Sequence, residues 1–219
     1  MKALAKLFLG LFPRAMLQRF ANVLLPILDV YYRGKTFKDP INGKSYRKFL
    51  PYGYVKIRQN VLSPGTLSLE RHRLIWLYLK KETDFFQTPS KVLHMAPEKA
   101  FISHLKKLPH LDYVSCDLES PLADIKADIC ALPFEDSTFD WILCNHVLEH
   151  ITNDTKAMQE LFRVLKPGGK ALIQVPLDPK RDITFEDNSI TNKSERTKIF
   201  GQYDHVRIYG MDYFKKLHL

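Results

Sequence analysis

From about residue 90 the apolar positions fall in short blocks separated by longer stretches of mixed polarity. Val92–His94, Tyr113–Cys116, Ile125–Cys130, Asp140–Cys144 and Lys170–Val175 read as five strands, the third half polar. Between them, Glu98–Leu108 and Asp154–Leu165 repeat apolar residues at helical spacing. Lys166-Pro167-Gly168-Gly169 follows the second of these, and glycine just past a helix is a stop signal. Strands alternating with helices predict an α/β fold, a doubly wound parallel sheet with helices on both faces. Ligands of such sheets bind beyond the carboxyl ends of the strands, where the strand order reverses.

The first 82 residues are patterned differently. In segment 1–32, Leu17, Phe20, Val23, Leu24 and Ile27 share one helical face, with Arg14 and Arg19 off it. This predicts an amphipathic basic helix that lies on a membrane surface or packs on the domain behind it. No run reaches the ~20 apolar residues of a membrane span, and no small-residue cleavage site follows the apolar run Ala3–Phe12. Segment 33–82 is a small basic module, loop-rich up to residue 66, with a helix from about Leu67 to Lys81. Ser68 and Arg71 do not make a capping box, so the pattern leaves the helix start open. A linker, Thr83–Ser90, leads into the third part, residues 90–219.

Charge sharpens the division. Residues 1–81 hold 16 Lys/Arg against 3 acids, 16 − 3 = +13, and the remainder 17 against 21, −4, giving the net +9. The basic part suits an anionic partner or a solvated surface. Cys116, Cys130 and Cys144 each lie in an apolar run, which predicts buried thiols in a reducing, cytoplasmic compartment.

Candidate chemistry lies after the strands. His94-Met95-Ala96-Pro97-Glu98 follows the first, Asp117 the second, Asp128-Ile129 lie at the end of the third, and Asn145-His146 follow the fourth. An acid about 20 residues beyond a strand–helix turn suits paired ribose hydroxyls. An Asp after a strand is also a common turn or N-cap residue. The first turn holds no glycine at all.

The segments ADICALPFEDSTFDWILCNHVLEHI and ELFRVLKPGGKALIQVP resemble the class I S-adenosylmethionine-dependent methyltransferases, most of all the type 11 small-molecule branch. The resemblance covers residues 90–218 and is most specific in its second half, where Leu148-Glu149-His150 and Leu165–Gly169 match the pattern. It implies a Rossmann-like fold and S-adenosylmethionine as cofactor. It places Asp117, beside Leu118, on the ribose, Asp128 and Ile129 on the adenine, and Asn145 and His146 on the methionine side. The first loop departs from the pattern: where the family has acid-x-Gly-x-Gly-x-Gly, this chain has His94, Ala96, Glu98 and Ala100. The expectation is a rebuilt cofactor loop in which Glu98 meets the ligand's ammonium; the alternative is a catalytically inactive binding protein that keeps the fold. The family fold also has two further strands after a final helix, and residues 211–219 read as the start of that helix, so the sheet is expected to lack its last two strands.

Methyl transfer needs alignment more than a catalytic side chain, so the acceptor is not legible. His146 and His205 are the candidate bases, with Asp204 positioned to orient His205 and His150 expected to pack or cap. The expected partner is a small-molecule or glycan- or lipid-linked acceptor. A nucleic-acid methyltransferase is a rival reading, disfavoured because Cys144-Asn145-His146-Val147 stands where base-modifying relatives carry a Pro-Pro-Tyr-like motif. No metal site is expected. Asp39-x-x-Asn42-Gly43 and Ser63-x-x-Thr66 have the spacing of two zinc knuckles without the cysteines; two ordinary turns are the alternative.

Overall fold

The computed structural model describes residues 24–53 and 57–218. Most of the predicted N-terminal amphipathic helix, Arg14 to Val23 included, lies outside the described residues. Two compact units result: Met1–Phe86 with Lys99–His104, and Gln87–Glu98 with Leu105–Leu219.

In the first unit residues 24–31 are helical, and Leu24 and Ile27 are exposed rather than packed. The region expected to be loops contains two antiparallel pairs: β1 (Arg33–Lys38) with β2 (Ser45–Tyr46), and β3 (Leu50–Tyr52) with β4 (Arg58–Leu62). These strands are short and largely polar, so they give little period-2 signal. The two knuckle-like turns do meet. The carboxylate of Asp39, fully buried, accepts from Thr66 Oγ1 at 2.6 Å and from the Ile41 amide at 3.0 Å. Helix α1 (Glu70–Lys81) starts three residues later than its apolar pattern, and its start is held by His72, whose Nδ1 accepts the Leu69 amide at 3.1 Å.

The second unit is a five-stranded parallel sheet, built from β5 (Ser90–Met95), β6 (Leu111–Asp117), β7 (Ile125–Lys126), β8 (Phe139–Asn145) and β9 (Leu165–Gln174) in the order β7-β6-β5-β8-β9. Helix α3 (Asp154–Val164) falls in its predicted connection, and α2 (Lys99–Leu105), shorter than its pattern, belongs to the first unit up to His104. The third strand stops early because Asp128 turns the chain, its Oδ1 accepting the Cys130 amide at 2.8 Å. Cys116 and Cys144 are buried as expected, while Cys130 is only half-buried. The glycines after α3 do not cap it. Leu165 leaves the helix extended, and Gly168, at φ +78°, lies in an irregularity of β9 between the pairs Phe139–Leu165 and Trp141–Lys170. Leu93, Phe139, Ile142, Leu148 and Leu161 fill the core.

Beyond β9 come β10 (Phe185–Glu186) paired antiparallel with β11 (Arg207–Ile208), α4 (Lys193–Phe200) and α5 (Tyr213–Lys216). This pair is separate from the parallel sheet. An apolar cavity of about 380 Å³ is lined by Met158, Leu161, Phe162 and Leu172, on α3 and β9, and by none of the candidate site residues.

Candidate active site

The strand order reverses between β5 and β8, neighbours in space with β6 and β7 between them in sequence. Met95 pairs with both Cys116 and Cys144, and Asn145 with Gln174. Ala96, Asp117, Asn145 and Gln174 therefore leave the sheet along one edge, at the position where doubly wound folds bind ligands.

The glycine-free loop keeps the conformation that glycine ordinarily supplies. Ala96 is left-handed, φ +47°, and its amide donates to the Cys116 carbonyl at 2.8 Å. An L-residue there costs roughly 1–2 kcal/mol. Fully buried His94 stands at the position of the family's acid. Its Nδ1 is 2.7 Å from the Tyr113 hydroxyl and its Nε2 2.7 Å from Glu98 Oε2. Burial, reinforced by the charge of Glu98, pushes the Tyr113 phenol up. It stays protonated and donates to Nδ1, so Nε2–H donates to Glu98. The carboxylate missing from the strand end is thus brought back from four residues later, and Glu98 gives one oxygen to His94 rather than facing outward alone.

Asp117 is half-buried, and its Oδ1 accepts the amides of Glu119 (2.7 Å) and Ser120 (2.5 Å). Both the turn role and the ligand role are open to it, because Oδ2 has no protein partner. Leu118 is 55% exposed beside it. Asp128 is exposed and Ile129 buried.

Asn145 is 3% exposed, and neither its Nδ2 nor its Oδ1 has a hydrogen-bond partner. Gln174 Oε1, opposite it in register, is likewise buried and unpaired. Buried polar groups are nearly always satisfied, and each exception calls for a reason. His146, also left-handed at φ +53°, places Nδ1 3.0 Å from Oε1 of buried Glu149.

Residues 84–173 match the family described as a methyltransferase domain. Over this stretch the chain is similar to methyltransferase domains. Within the chain, 49 residues are 45% identical to the ubiquinone/menaquinone biosynthesis C-methyltransferase UbiE of Pasteurella multocida, covering 22% of this chain and 18% of that protein. The UbiE of Cronobacter sakazakii is 47% identical over 49 residues, covering 22% and 20%. The matched stretch thus spans about a fifth of those relatives. The solved structure of the cyclase SpnF shares the fold, with TM-score 0.51 and 14% identity over 69% of this chain and 58% of that one.

The parallel sheet gathers most of the residues the sequence singled out: His94, Ala96, Asp117, Asn145 and His146 lie at the carboxyl ends of neighbouring strands or just beyond. His205 is not oriented by Asp204. Its Nδ1 lies 3.2 Å from the Phe200 carbonyl, while Asp204 Oδ2 is 3.5 Å from Nδ1 of His150. Burial, and next to it the neighbouring His150, lower the His205 pKa, which keeps the ring neutral. Tyr113, Glu149 and Gln174 were missed. The strand-end rule that found Asn145 applies equally to Gln174, whereas the other two act through partners that sequence does not reveal.

Proposed function

We propose that this chain transfers a methyl group from S-adenosylmethionine to a small-molecule or glycan- or lipid-linked acceptor. The observation that carries the reading is the unpaired buried amide of Asn145 at the topological switch point of a methyltransferase domain. Its donor and acceptor suit the carboxylate and ammonium ends of a bound amino acid. Asp117 Oδ2 would accept from the ribose hydroxyls. Asp128 would accept from the adenine amino group, with buried Ile129 covering the ring. Alanine at 96 suffices because this cofactor has no pyrophosphate demanding the closest backbone approach. When bound, the cofactor supplies an electrophilic sulfonium methyl whose leaving group is a neutral thioether.

The chain's own contribution is alignment and proton handling. Glu149 Oε1 accepts from His146 Nδ1–H, which fixes the tautomer and leaves the Nε2 lone pair free to take a proton from an acceptor. The reading includes a cytoplasmic setting, supported by three unbridged cysteines. It also includes peripheral membrane contact through the N-terminal segment, supported by exposed Leu24, Ile27, Val30 and Tyr31. No helix among the described residues is long and apolar enough to cross a membrane.

The test is incubation of the protein with isotopically labelled S-adenosylmethionine and fractionated extract, followed by mass spectrometry. A methylated product lost in His146→Ala supports the reading. Cofactor binding with no transfer to any fraction would favour the inactive binding protein instead.

A further inference from the structure

The 3₁₀ turn Leu148–His150 and the segment 203–209 are held face to face. The Val206 amide donates to the Glu149 carbonyl at 2.9 Å, and buried Arg207 donates to the carbonyls of Leu148 and Thr152, each at 2.9 Å. Between them, one ligating atom each of Glu149, His150 and His205 lies within 4.8 Å of the others. We propose that these three side chains bind a first-row divalent cation, with Zn²⁺ the best match to two imidazoles and a carboxylate.

Three independent features point at the same spot. First, Glu149 is 1% exposed, its Oε1 serves His146, and its Oε2 is buried without any partner. The guanidinium of Arg207 is taken up by carbonyls and by Glu186 Oε2 at 3.0 Å, and it makes no hydrogen bond to that oxygen. Second, the rings of His150 and His205 are 4.7 Å apart at 85°, close enough for two lone pairs to converge. Third, both rings have their other nitrogen occupied as metal-binding imidazoles do. His205 Nδ1 donates to Phe200 O, and His150 Nδ1 faces Asp204, whose Oδ1 is in turn fixed by Gln202 Nε2 at 2.8 Å. In each ring that leaves Nε2 with the lone pair. Bonds of about 2.0–2.1 Å put tetrahedral ligands roughly 3.3 Å apart, so small side-chain rotations close the cluster.

Three protein ligands leave a fourth position open. Glu149 links it to His146 at the end of β8. An acceptor hydroxyl bound there would lose its proton more readily, to His146 Nε2, and its oxygen would take the methyl as the methyl–sulfur bond of the donor breaks and a neutral thioether leaves. That last step rests on the methyl-transfer reading and narrows the acceptor to hydroxyl compounds; the metal site does not depend on it.

The test uses untagged, chelator-stripped full chain titrated with Co²⁺ and Zn²⁺ alone, with no cofactor present. The expected result is one equivalent of Co²⁺ with the visible absorption of a four- or five-coordinate imidazole site, displaced by Zn²⁺. Outer-shell changes usually weaken metal binding by about 10–100-fold, so loss of a ligand in His150→Ala, His205→Gln or Glu149→Gln should weaken it by roughly 100-fold or more. Asp204→Asn keeps all three ligands and should weaken it by about tenfold; it serves should the ligand variants fail to fold. Absence of binding by the wild-type chain, or binding that none of these changes weakens, would overturn the site. Because the readout needs no cofactor, a failure here leaves the methyl-donor reading standing, and a failure to bind S-adenosylmethionine leaves the metal site standing.

Discussion

Replacing Asn145 with leucine should make the free protein more stable and the site worse. Asn145 is 3% exposed, and both polar atoms of its amide lack a partner. Leaving a buried donor or acceptor unsatisfied costs about 1–3 kcal/mol. Leucine has a similar volume and removes that penalty, so Asn145→Leu should gain on the order of 1–3 kcal/mol without cofactor. For a chain of this size, that is a rise of roughly 2–10 °C in melting temperature. The same change removes hydrogen bonds to a charged ligand, worth about 1.5–3 kcal/mol, so S-adenosylmethionine affinity should fall by roughly tenfold or more. The assay is denaturation of wild type and variant with and without cofactor, paired with calorimetric titration. The two curves should cross: the variant more stable alone, the wild type gaining more from the ligand. A variant that is less stable without ligand and binds it equally well would show that Asn145 is a structural residue, and would refute the reasoning.

Ala96→Gly relieves a left-handed alanine at φ +47° but adds unfolded-state entropy; stability should change by no more than about 1 kcal/mol, in the favourable direction, and a larger loss in urea denaturation would refute the strain. Burial works against ionisation of Asp29, but hydrogen bonds from Lys44, Tyr46 and Arg33 bring its carboxyl down to about 2. Arg163 does the same for Glu160, also to about 2. Both lie below their unfolded values near 4, so their contribution, on the order of 1–2 kcal/mol each, is present above about pH 5 and lost as pH falls toward 2. Urea midpoints at pH 7, 5 and 3 should show that loss, and Asp29→Asn should flatten it. Arg207→Met strands the carbonyls of Leu148 and Thr152 and takes the guanidinium away from buried Asp154, 3.7 Å from it; it should cost about 3–5 kcal/mol, and a melting temperature within 2 °C of wild type, well below that expectation, would contradict the role given to it.

The sheet was legible because each of its strands is an apolar block between turn residues, and strand–helix alternation leaves few topologies. Asn145, His146 and Asp117 were legible for the same reason, since a residue just past a strand has its place fixed by the sheet. The polar strands β1 to β4 were not, because their exposed faces carry no periodic signal. Adjacent residues misled where side chains diverge: Asp204 lies next to His205 in sequence and yet serves His150. Glu98 was legible as a residue of the first loop, but its pairing with His94 Nε2 at 2.7 Å was not. The Glu149–His150–His205 cluster depends on a long return of the chain, which local spacing cannot encode.

The most direct test of the central claim is calorimetric titration of the full chain with S-adenosylmethionine, alongside Asp117→Ala. Asp117 offers a single unpaired oxygen to the ligand, and its loss is worth about 1.5–3 kcal/mol. The account predicts saturable binding of one equivalent, weakened by roughly tenfold or more in the variant. No saturable binding by the wild-type chain, or equal affinity in both proteins, would contradict it.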